Sequence, residues 1–231
     1  MKTLGLIGGM SWESTLVYYQ RLNRMTRERL GGLHSAPLIL WSVDFAPIAA
    51  MQASGDWERA TTALEDAARR LERAGAEAIL ICANTMHRMA GEVQAAVSIP
   101  VLHVADATAA AVKAAGSARP LLLATRFTME QAFYRDRLKA DGVSAVIPGE
   151  ADRARLHTII YDELVRGVIS LDSKAAMLAI IDNARRDQGV DGVILGCTEF
   201  GLLIGPDDLD LPVFDTALIH AEAGIAFALG D

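Results

Sequence analysis

The sequence has little lysine and no long apolar run, and each shortage excludes a class of protein. Its 231 residues include four lysines, which are Lys2, Lys113, Lys139 and Lys174. Pyridoxal phosphate needs a buried lysine, whereas the last three of these lie in patterns typical of solvated helices or turns. We therefore expect no pyridoxal phosphate and no other cofactor. No apolar run approaches the roughly 20 residues that cross a bilayer, so we expect no membrane partner.

Cysteine, metal-binding spacings and positive charge are also scarce. The two cysteines cannot build a disulfide framework. The start "MKTLGLIGGMSWE" lacks the features of a signal peptide, so we expect a cytoplasmic, reduced chain. The five histidines show no spacing such as H-E-x-x-H, which predicts no metal site. A net charge of −7 and a pI near 5.3 argue against nucleic acid or an anionic membrane surface as the main partner.

The chain alternates short apolar runs with longer amphipathic stretches. "LGLI" (4–7) predicts a strand, and a helix is predicted after it over about 12–30. Later, "TMEQ" (128–131) predicts a capping box that opens a helix ending at Gly142, and "VSAVI" (143–147) predicts another strand. The predicted fold class is therefore α/β, with mostly parallel sheets flanked by helices on both faces.

An internal repeat relates the two halves of the chain. "AGAEAILICANT" (74–85) aligns with "QGVDGVILGCTE" (188–199), and the alignment places Ala83 on Cys197. Each segment predicts a strand that ends in small polar residues. A repeat of this kind indicates two similar α/β halves.

A second match supports the same division. "IPVLHV" (99–104) resembles "LPVFDT" (211–216) at almost the same offset. We expect two pseudo-symmetric domains, with residues 1–99 and 208–231 in the first and residues 100–207 in the second. The tips of the two equivalent strands would then lie across one cleft, where open parallel sheets bind ligands.

Two cysteines lie at these strand ends, and their predicted environments differ. Cys197 follows "VILG", where backbone N–H groups of the next turn could stabilise a thiolate; a small buried core residue is the alternative. Side chains alternate across a strand, so Cys82 and Ala83 point to opposite faces. Because Ala83 shares the place of Cys197, we expect Ala83 to face the cleft and Cys82 to pack in the core.

These residues resemble a known family. The segments Gly8–Met10, Ala83–His87 and Gly196–Glu199 are similar to motifs of the cofactor-independent aspartate/glutamate racemase family. Further stretches, among them "GGMSWEST", "RLGGLHSA", "SVDF" and "PVFDTALIHAE", resemble the branch of that family that acts on acidic amino acids in enteric bacteria. The likeness extends over nearly the whole chain, and paired motifs in corresponding halves are more specific than either motif alone.

The resemblance implies an isomerase, an amino-acid racemase with its active site in the cleft between two domains. One thiolate would remove the Cα proton of aspartate or glutamate, and a second thiol on the opposite face would return one. Backbone amides and hydroxyls near Asn84, Thr85 and Thr198 would stabilise the substrate carboxylate as charge develops. The family also implies a homodimer.

The chain departs from the family at one of the two acid/base positions. The usual motif is Cys-Asn-Thr, and some members of the acidic branch carry Thr before Asn-Thr, whereas this chain has Ala83. Alanine has no proton to give or take, so Cys197 alone remains of the acid/base pair. Cys82 cannot replace it without a one-residue slip that would turn the whole strand over.

The resemblance alone assigns the remaining site positions. Gln52 and Arg155 match positions that hold the substrate's side-chain carboxylate, and Arg155, where Lys is more common, would make a bidentate contact. An exposed helix arginine is the alternative for Arg155. Thr125 matches a threonine that lines the cleft. The predicted substrate-binding residues are Met10, Gln52, Asn84, Thr85, Thr125, Arg155, Thr198 and Glu199.

Four functions stay open at this point. The first is a racemase for aspartate or glutamate that is one-sided or impaired. The second is a decarboxylase of the arylmalonate type, a related family with a single cysteine in the second half; the whole-chain likeness to the racemases argues against it. The third is an inactive binder of acidic amino acids, and the fourth is a protein in which Ala83 was engineered to trap a ligand. The sequence does not separate the last two.

Overall fold

Two compact units make up the chain. The computed structural model describes all residues from 1 to 231. Unit 1 comprises Met1–His103 and His220–Asp231, whereas unit 2 is the continuous stretch Val104–Ile219. In the sequence, unit 2 is therefore an insertion between the two parts of unit 1.

Unit 1 contains a four-stranded, fully parallel sheet with the strand order β2-β1-β3-β4. The strands are β1 (Leu4–Gly8), β2 (Leu38–Ser42), β3 (Ala78–Ile81) and β4 (Val101–Leu102). The helices are α1 (Trp12–Leu30), α2 (Phe45–Ser54), α3 (Trp57–Arg73) and α4 (Ala90–Ala95), and a 3-10 turn at Thr85–Met89 precedes α4. Helix α2 is a feature that the sequence analysis did not predict.

Unit 2 contains a three-stranded parallel sheet with the order β5-β6-β7. Its strands are β5 (Leu121–Leu123), β6 (Val193–Leu195) and β7 (Val213–Asp215). Its helices are α5 (Val104–Ala114), α6 (Arg126–Glu130), α7 (Ala132–Ala140), α8 (Glu150–Thr158) and α9 (Leu171–Gln188). Helix α10 (Thr216–Leu229) begins in unit 2 and continues into unit 1 from His220.

The strand predicted over 143–147 does not form. Only Val146 makes an isolated parallel bridge, to Leu121, with hydrogen bonds to Pro120 and Leu122. Pro148 follows two residues later and has no N–H to donate, so the ladder cannot extend.

The helix predicted from the capping box at 128–131 begins earlier and is interrupted. Thr125 is the N-cap, and its side-chain oxygen accepts a hydrogen bond from the N–H of Thr128. Gln131 then adopts an extended conformation, which separates α6 from α7. The N-cap position matters for the site because Thr125 lies two residues beyond the end of β5.

The predicted internal repeat is confirmed at the level of single hydrogen bonds. The alignment that places Ala83 on Cys197 also places Glu77 on Asp191. Glu77 accepts a hydrogen bond from the N–H of Thr3 at 2.7 Å, and Asp191 accepts one from the N–H of Arg119 at 2.9 Å. In each unit this bond holds the segment that leads into a strand: Thr3 precedes β1, and Arg119 lies shortly before β5.

Equivalent backbone bonds follow along the strands. The N–H of Ile79 donates to the carbonyl of Pro100, and the N–H of Val193 donates to that of Pro212. Further along, Cys82 N–H donates to Ile7 and Gly196 N–H donates to Leu123. The two units therefore share one register from strand start to strand end, which is the pseudo-symmetry predicted for the fold.

The unit boundaries differ from the predicted domains of 1–99 with 208–231 and 100–207. Strand β4 pairs with β3 and so belongs to unit 1 up to His103. Strand β7 pairs with β6 and so belongs to unit 2, which extends to Ile219. The physical reason is that sheet hydrogen bonds tie these short strands to the preceding strand of their own repeat.

Each unit has its own hydrophobic core. In unit 1 the side chains of Leu64 and Leu71 from α3 pack on Ile7 and Ile79 of the sheet. In unit 2 the three residues of β5 and of β6 are all buried. No helix of the chain is both long enough and apolar enough to span a membrane.

Candidate active site

The turn after β1 can be built only with glycine. Gly9 has φ = +87°, and a Cβ there would lie 2.3 Å from the carbonyl oxygen of Val43. The Gly9 N–H donates to Thr15 Oγ1 at 2.8 Å, and that hydroxyl donates to the carbonyl of Ser11 at 3.0 Å. These bonds hold Met10 in a buried position beyond the carboxyl end of β1.

At the end of β3, both Cys82 and Ala83 are buried, and that Ala83 faces a cleft stays a prediction. Cys82 is fully buried, and its thiol lies 3.8 Å from the carbonyl oxygen of Leu80. Burial raises the pKa of this thiol far above its ordinary value. Ala83 is 7% exposed, and the buried Asn84 and Thr85 follow it into the 3-10 turn. Cys82 is thus an inert core residue.

A buried histidine contacts the backbone of Ala83, the position at which the family carries a second acid/base. His87 Nδ1 lies 3.0 Å from the carbonyl oxygen of Ala83, so this nitrogen carries the proton and donates it. The His87 ring centroid is 4.7 Å from that of His103 and 5.4 Å from that of His220. We call these three residues the histidine cluster. Burial, followed by the two other histidines, lowers the pKa of His87 well below its usual range.

His220 in this cluster is held in one neutral tautomer. Its Nε2 lies 2.8 Å from the carbonyl oxygen of Leu102 and must donate, whereas its Nδ1 accepts from the hydroxyl of Tyr18 at 2.8 Å. Burial lowers the pKa of His220 to about 4. The structure contains no group of three or more histidine, cysteine or acidic residues that could hold a metal ion.

Gln52 is placed near the same edge of the unit 1 sheet by α2. Its side chain is buried, and its amide nitrogen lies 3.1 Å from the sulfur of Met86, in the 3-10 turn after β3. A thioether is a weak hydrogen-bond acceptor. Unit 1 therefore brings Met10, Gln52 and the Ala83–Thr85 segment to the carboxyl ends of its strands.

In unit 2 the equivalent edge carries a thiol and a carboxylate in contact. Cys197, two residues beyond β6, is 6% exposed, and its Sγ lies 3.0 Å from Glu199 Oε2. The hydroxyl of Thr198 donates to the same oxygen at 2.8 Å. Glu199 is only 3% exposed. Thr125 is also buried at this edge, at the end of β5.

The electrostatics of this pair control the thiol. Burial, and then the negative charge and hydrogen bond of Glu199, hold the pKa of Cys197 well above its ordinary value. A free thiolate beside a charged Glu199 would place two negative charges together in a buried site. The thiol therefore donates to the carboxylate in the resting structure.

Sequence reasoning missed a tyrosine beside this pair. Tyr161 lies in a π-helical turn at Ile159–Glu163, a feature often found at functional sites. Its pKa is raised by burial first and then by the charges of Cys197 and Glu199, so the phenol stays protonated. The ring also lies 4.6 Å from that of His157. No motif marked Tyr161, because the π turn is not visible in the sequence.

Arg155 is the predicted site residue that the structure gives least support. It lies in the last turn of α8 with an exposed side chain. The structure shows Arg155 at the surface of unit 2, which is the environment expected of an exposed helix arginine. Its role toward a substrate carboxylate stays a prediction.

The fold and this geometry define a class of protein: two α/β units related by pseudo-symmetry, with a thiol–carboxylate pair at a strand end of one of them. The model of the Asp/Glu/Hydantoin racemase family matches residues 7–224. The chain therefore belongs to the Asp/Glu/Hydantoin racemase family.

Solved structures agree with this assignment. A protein from Yersinia pestis, described as a candidate Asp/Glu racemase, is 50% identical to this chain, with a TM-score of 0.91 over 99% of this chain and 100% of the other. An aspartate racemase homologue from Pyrococcus horikoshii is 38% identical, with a TM-score of 0.87 over 99% and 100%. Arylmalonate decarboxylase, at 14% identity, a TM-score of 0.57 and coverage of 100% and 94%, shares the fold alone.

Proposed function

We propose that the protein exchanges the Cα proton of aspartate or glutamate without a cofactor, with Cys197 as the acid/base, and inverts the amino acid only slowly. The observation that carries this proposal is the pair of equivalent positions after β3 and β6. Both side chains are almost fully buried at the same place in their units, and only Cys197 can bind a proton.

The proposed reaction begins with the Cys197 thiolate. It takes the Cα proton, so the Cα–H bond breaks, an S–H bond forms, and the electron pair passes into the substrate carboxylate. Hydrogen-bond donors near Asn84, Thr85 and Thr198 would stabilise that carboxylate as its charge grows. Cys197 then returns a solvent-derived proton to the face from which it took the first. Configuration is retained because position 83 supplies no proton to the other face.

The proposed substrate is a small dicarboxylate amino acid. The structural relatives described above are named for aspartate and glutamate, and the residues that would hold the second carboxylate are Gln52 and Arg155. Backbone N–H groups near Met10 would hold the other carboxylate. A planar guanidinium can bind a carboxylate through two parallel hydrogen bonds. We place the activity in the cytoplasm, because both thiols of the chain are free.

One assay tests this function directly. Proton NMR of L- and D-aspartate and of both glutamate enantiomers in deuterated water should show loss of one enantiomer's Cα signal while optical rotation stays nearly constant. The same observation separates an enzyme from an inactive binder, which would leave every Cα signal intact. Loss of signal and of rotation at equal rates would contradict one-sided exchange.

A decarboxylase is the second candidate, and the single thiol at the site favours it. Such an enzyme needs one proton donor only, and Cys82 is excluded because it packs in the core. Release of carbon dioxide from an α-aryl malonate, without exchange of aspartate or glutamate, would identify this function instead.

We further propose that the protein is a homodimer whose contact lies on unit 1. Trp12, Leu16, Tyr19 and Leu30 follow helical spacing along one side of α1, and all four are exposed, Trp12 by 64%. We call this row the α1 apolar stripe. Aromatic side chains of this kind bury roughly 150–250 Å² each, so the stripe could supply about half of the roughly 800 Å² per partner in a standard interface.

A second copy is the occupant that fits this stripe best. A row on one helix can pack antiparallel on its own copy about a two-fold axis, so that every residue meets an apolar partner. The edge strand β2 adds an exposed Leu40 and Trp41 to the apolar surface of unit 1. An uncharged edge strand of this type is usually covered in the native assembly.

A further inference from the structure

We propose that Glu199 is the proton acceptor of Cys197, so that the pair holds one proton between them and forms the thiolate without releasing a proton to solvent. The inference deepens the proposed function and rests on it for the identity of the reaction. Sequence analysis assigned Glu199 to substrate binding. In the structure its carboxylate contacts the thiol of Cys197.

The geometry supports a direct transfer. The Sγ of Cys197 and the Oε2 of Glu199 are 3.0 Å apart, and the thiol is the donor of this hydrogen bond. Thr198 donates to the same oxygen at 2.8 Å. That second bond orients the carboxylate toward the thiol. Both members of the pair are almost fully buried, so water does not stand between them.

The transfer conserves atoms and charge. The S–H bond of Cys197 breaks, an O–H bond forms at Glu199 Oε2, and the electron pair stays on the sulfur. The net charge of the pair is −1 before and after the step. Loss of the proton to solvent would instead give a charge of −2 in a buried site, and two such close groups do not both ionise readily.

The carboxylate of Asp215, at the same edge, has hydrogen-bond donors of its own. On the neighbouring strand β7, Asp215 accepts hydrogen bonds from the N–H groups of Ala217 and Leu218 at the start of α10. The two residues after β5, Ala124 and Thr125, are uncharged. Burial raises the pKa of Tyr161, in the π turn, so its phenol keeps its own proton.

The pair also explains how a single thiol could exchange a proton with solvent. After Sγ has taken the Cα proton, both members of the pair are protonated. Glu199 first releases its own proton to water and then takes the proton of the thiol, and a solvent proton reaches Sγ by the reverse of these steps. The substrate stays bound with its carbanion on the same face. Cys197 would be the catalytic residue, and Glu199 acts through it.

Alkylation of Cys197 tests the inference without any substrate. The background variant is Cys82→Ala, which leaves one thiol, and the probe is iodoacetamide over about pH 6 to 9. With Glu199 present, the alkylation rate should stay nearly constant, because the thiolate forms by internal transfer. In Glu199→Gln the rate should rise about tenfold per pH unit, as for a lone thiol that titrates with solvent.

Two further variants sharpen the test. Glu199→Asp keeps a carboxylate and should keep the flat profile at a lower rate, which also covers the case in which Glu199→Gln does not fold. Glu150→Gln removes an exposed carboxylate from α8 and should change nothing. A tenfold rise per pH unit in the background variant, parallel to that of Glu199→Gln, would overturn the inference. If the alkylation rate stays constant with pH but the protein exchanges no amino acid, the proposed function is wrong and the proton transfer between Cys197 and Glu199 stands.

Discussion

Ala83 and Cys197 occupy equivalent positions in the two units, each two residues beyond the end of an inner strand. Strand β3 ends at Ile81 and β6 ends at Leu195, and the two later residues are 7% and 6% exposed. The backbone therefore presents both side chains in the same way. The two positions differ in chemistry and not in placement.

A thiol at position 83 should restore inversion. In Ala83→Cys both faces of the substrate would meet an acid/base, and a positioned group of this kind typically contributes 10²–10⁴-fold. Racemisation in the parent should be slower than one-sided exchange by about that factor. The variant should racemise both enantiomers about as fast as it exchanges their Cα protons. Polarimetry and proton NMR on the same samples measure the two rates.

Two variants control this result. Ala83→Thr introduces the residue that some racemases carry and should restore part of the effect, whereas Ala90→Cys adds a thiol at another buried alanine of unit 1 and should not. If the parent already racemises both enantiomers as fast as it exchanges them, another residue supplies the second proton. Thr85 would be the first to replace.

The two native cysteines should respond in opposite ways to substitution. Cys197→Ala or Cys197→Ser should abolish Cα proton exchange, because Glu199 acts on the substrate only through the thiol. Cys82→Ala should leave exchange intact and lower the free energy of unfolding by about 1 kcal/mol, from the small cavity it leaves. Exchange by Cys197→Ala at the parent rate would show that Cys197 is not the acid/base.

Stability should fall as the histidine cluster is forced to ionise. An unfolded histidine takes up a proton below pH 6.5, whereas burial holds His220 neutral in the folded state down to about pH 4. Below pH 6.5 the unfolded state binds more protons, so the free energy of unfolding falls as pH decreases through this window. The loss is about 1.4 kcal/mol per pH unit for each such histidine.

Urea unfolding at pH 7.5 and pH 5 measures this effect. His220→Gln removes one titrating group and should reduce the difference between the two pH values. His34→Gln changes an exposed histidine and should leave the difference as it is. Equal pH dependence in the parent and His220→Gln would contradict the assignment of this loss to the cluster.

Binding should favour dicarboxylates if Arg155 acts as proposed. Alanine should bind at least about tenfold more weakly than aspartate, since a hydrogen bond to a charged group contributes roughly 1.5–3 kcal/mol. Arg155→Gln should remove most of that preference, whereas Arg166→Gln, at another exposed arginine of unit 2, should keep it. Calorimetric titration measures both affinities. Unchanged aspartate binding in Arg155→Gln would remove Arg155 from the site.

Charge in the α1 apolar stripe should separate the proposed dimer. Leu16→Asp places a carboxylate in the middle of the stripe, where a second copy would have to desolvate it. Light scattering should then give the mass of one chain, or about half of the parent mass. Arg24→Glu alters the polar side of the same helix and should leave the mass unchanged. A parent that already has the mass of one chain would contradict the dimer.

Local signals made much of the fold predictable. The repeat is visible as two similar segments of sequence, and the helix predicted over about 12–30 agrees with α1, which Ser11 and Gly31 cap in the structure. The segment over 143–147 has strand composition, but a strand also needs a partner, and Pro148 limits it to one bridge. Helix α2 lacks an amphipathic pattern, and only its caps, Asp44 and Gly55, mark it in the sequence.

The site shows the same division between local and distant relationships. Cys197 and Glu199 are two residues apart, and the tight turn after β6 brings their side chains together. His87, His103 and His220 are brought together only by the folded unit. No spacing rule links His220 to the other two, since it lies more than a hundred positions further along the chain.

The insertion of unit 2 into unit 1 sets an order of assembly during synthesis. Domains generally fold as units while the chain is being made, the earlier ones first. Unit 2 is continuous from Val104 to Ile219, whereas unit 1 needs the segment from His220 onward, where Ala228 accepts a hydrogen bond from the N–H of Lys2. His220 is the residue at which that segment begins. Unit 2, which carries Cys197, can thus fold on the ribosome before the C-terminal segment of unit 1, which carries Ala83, has been made.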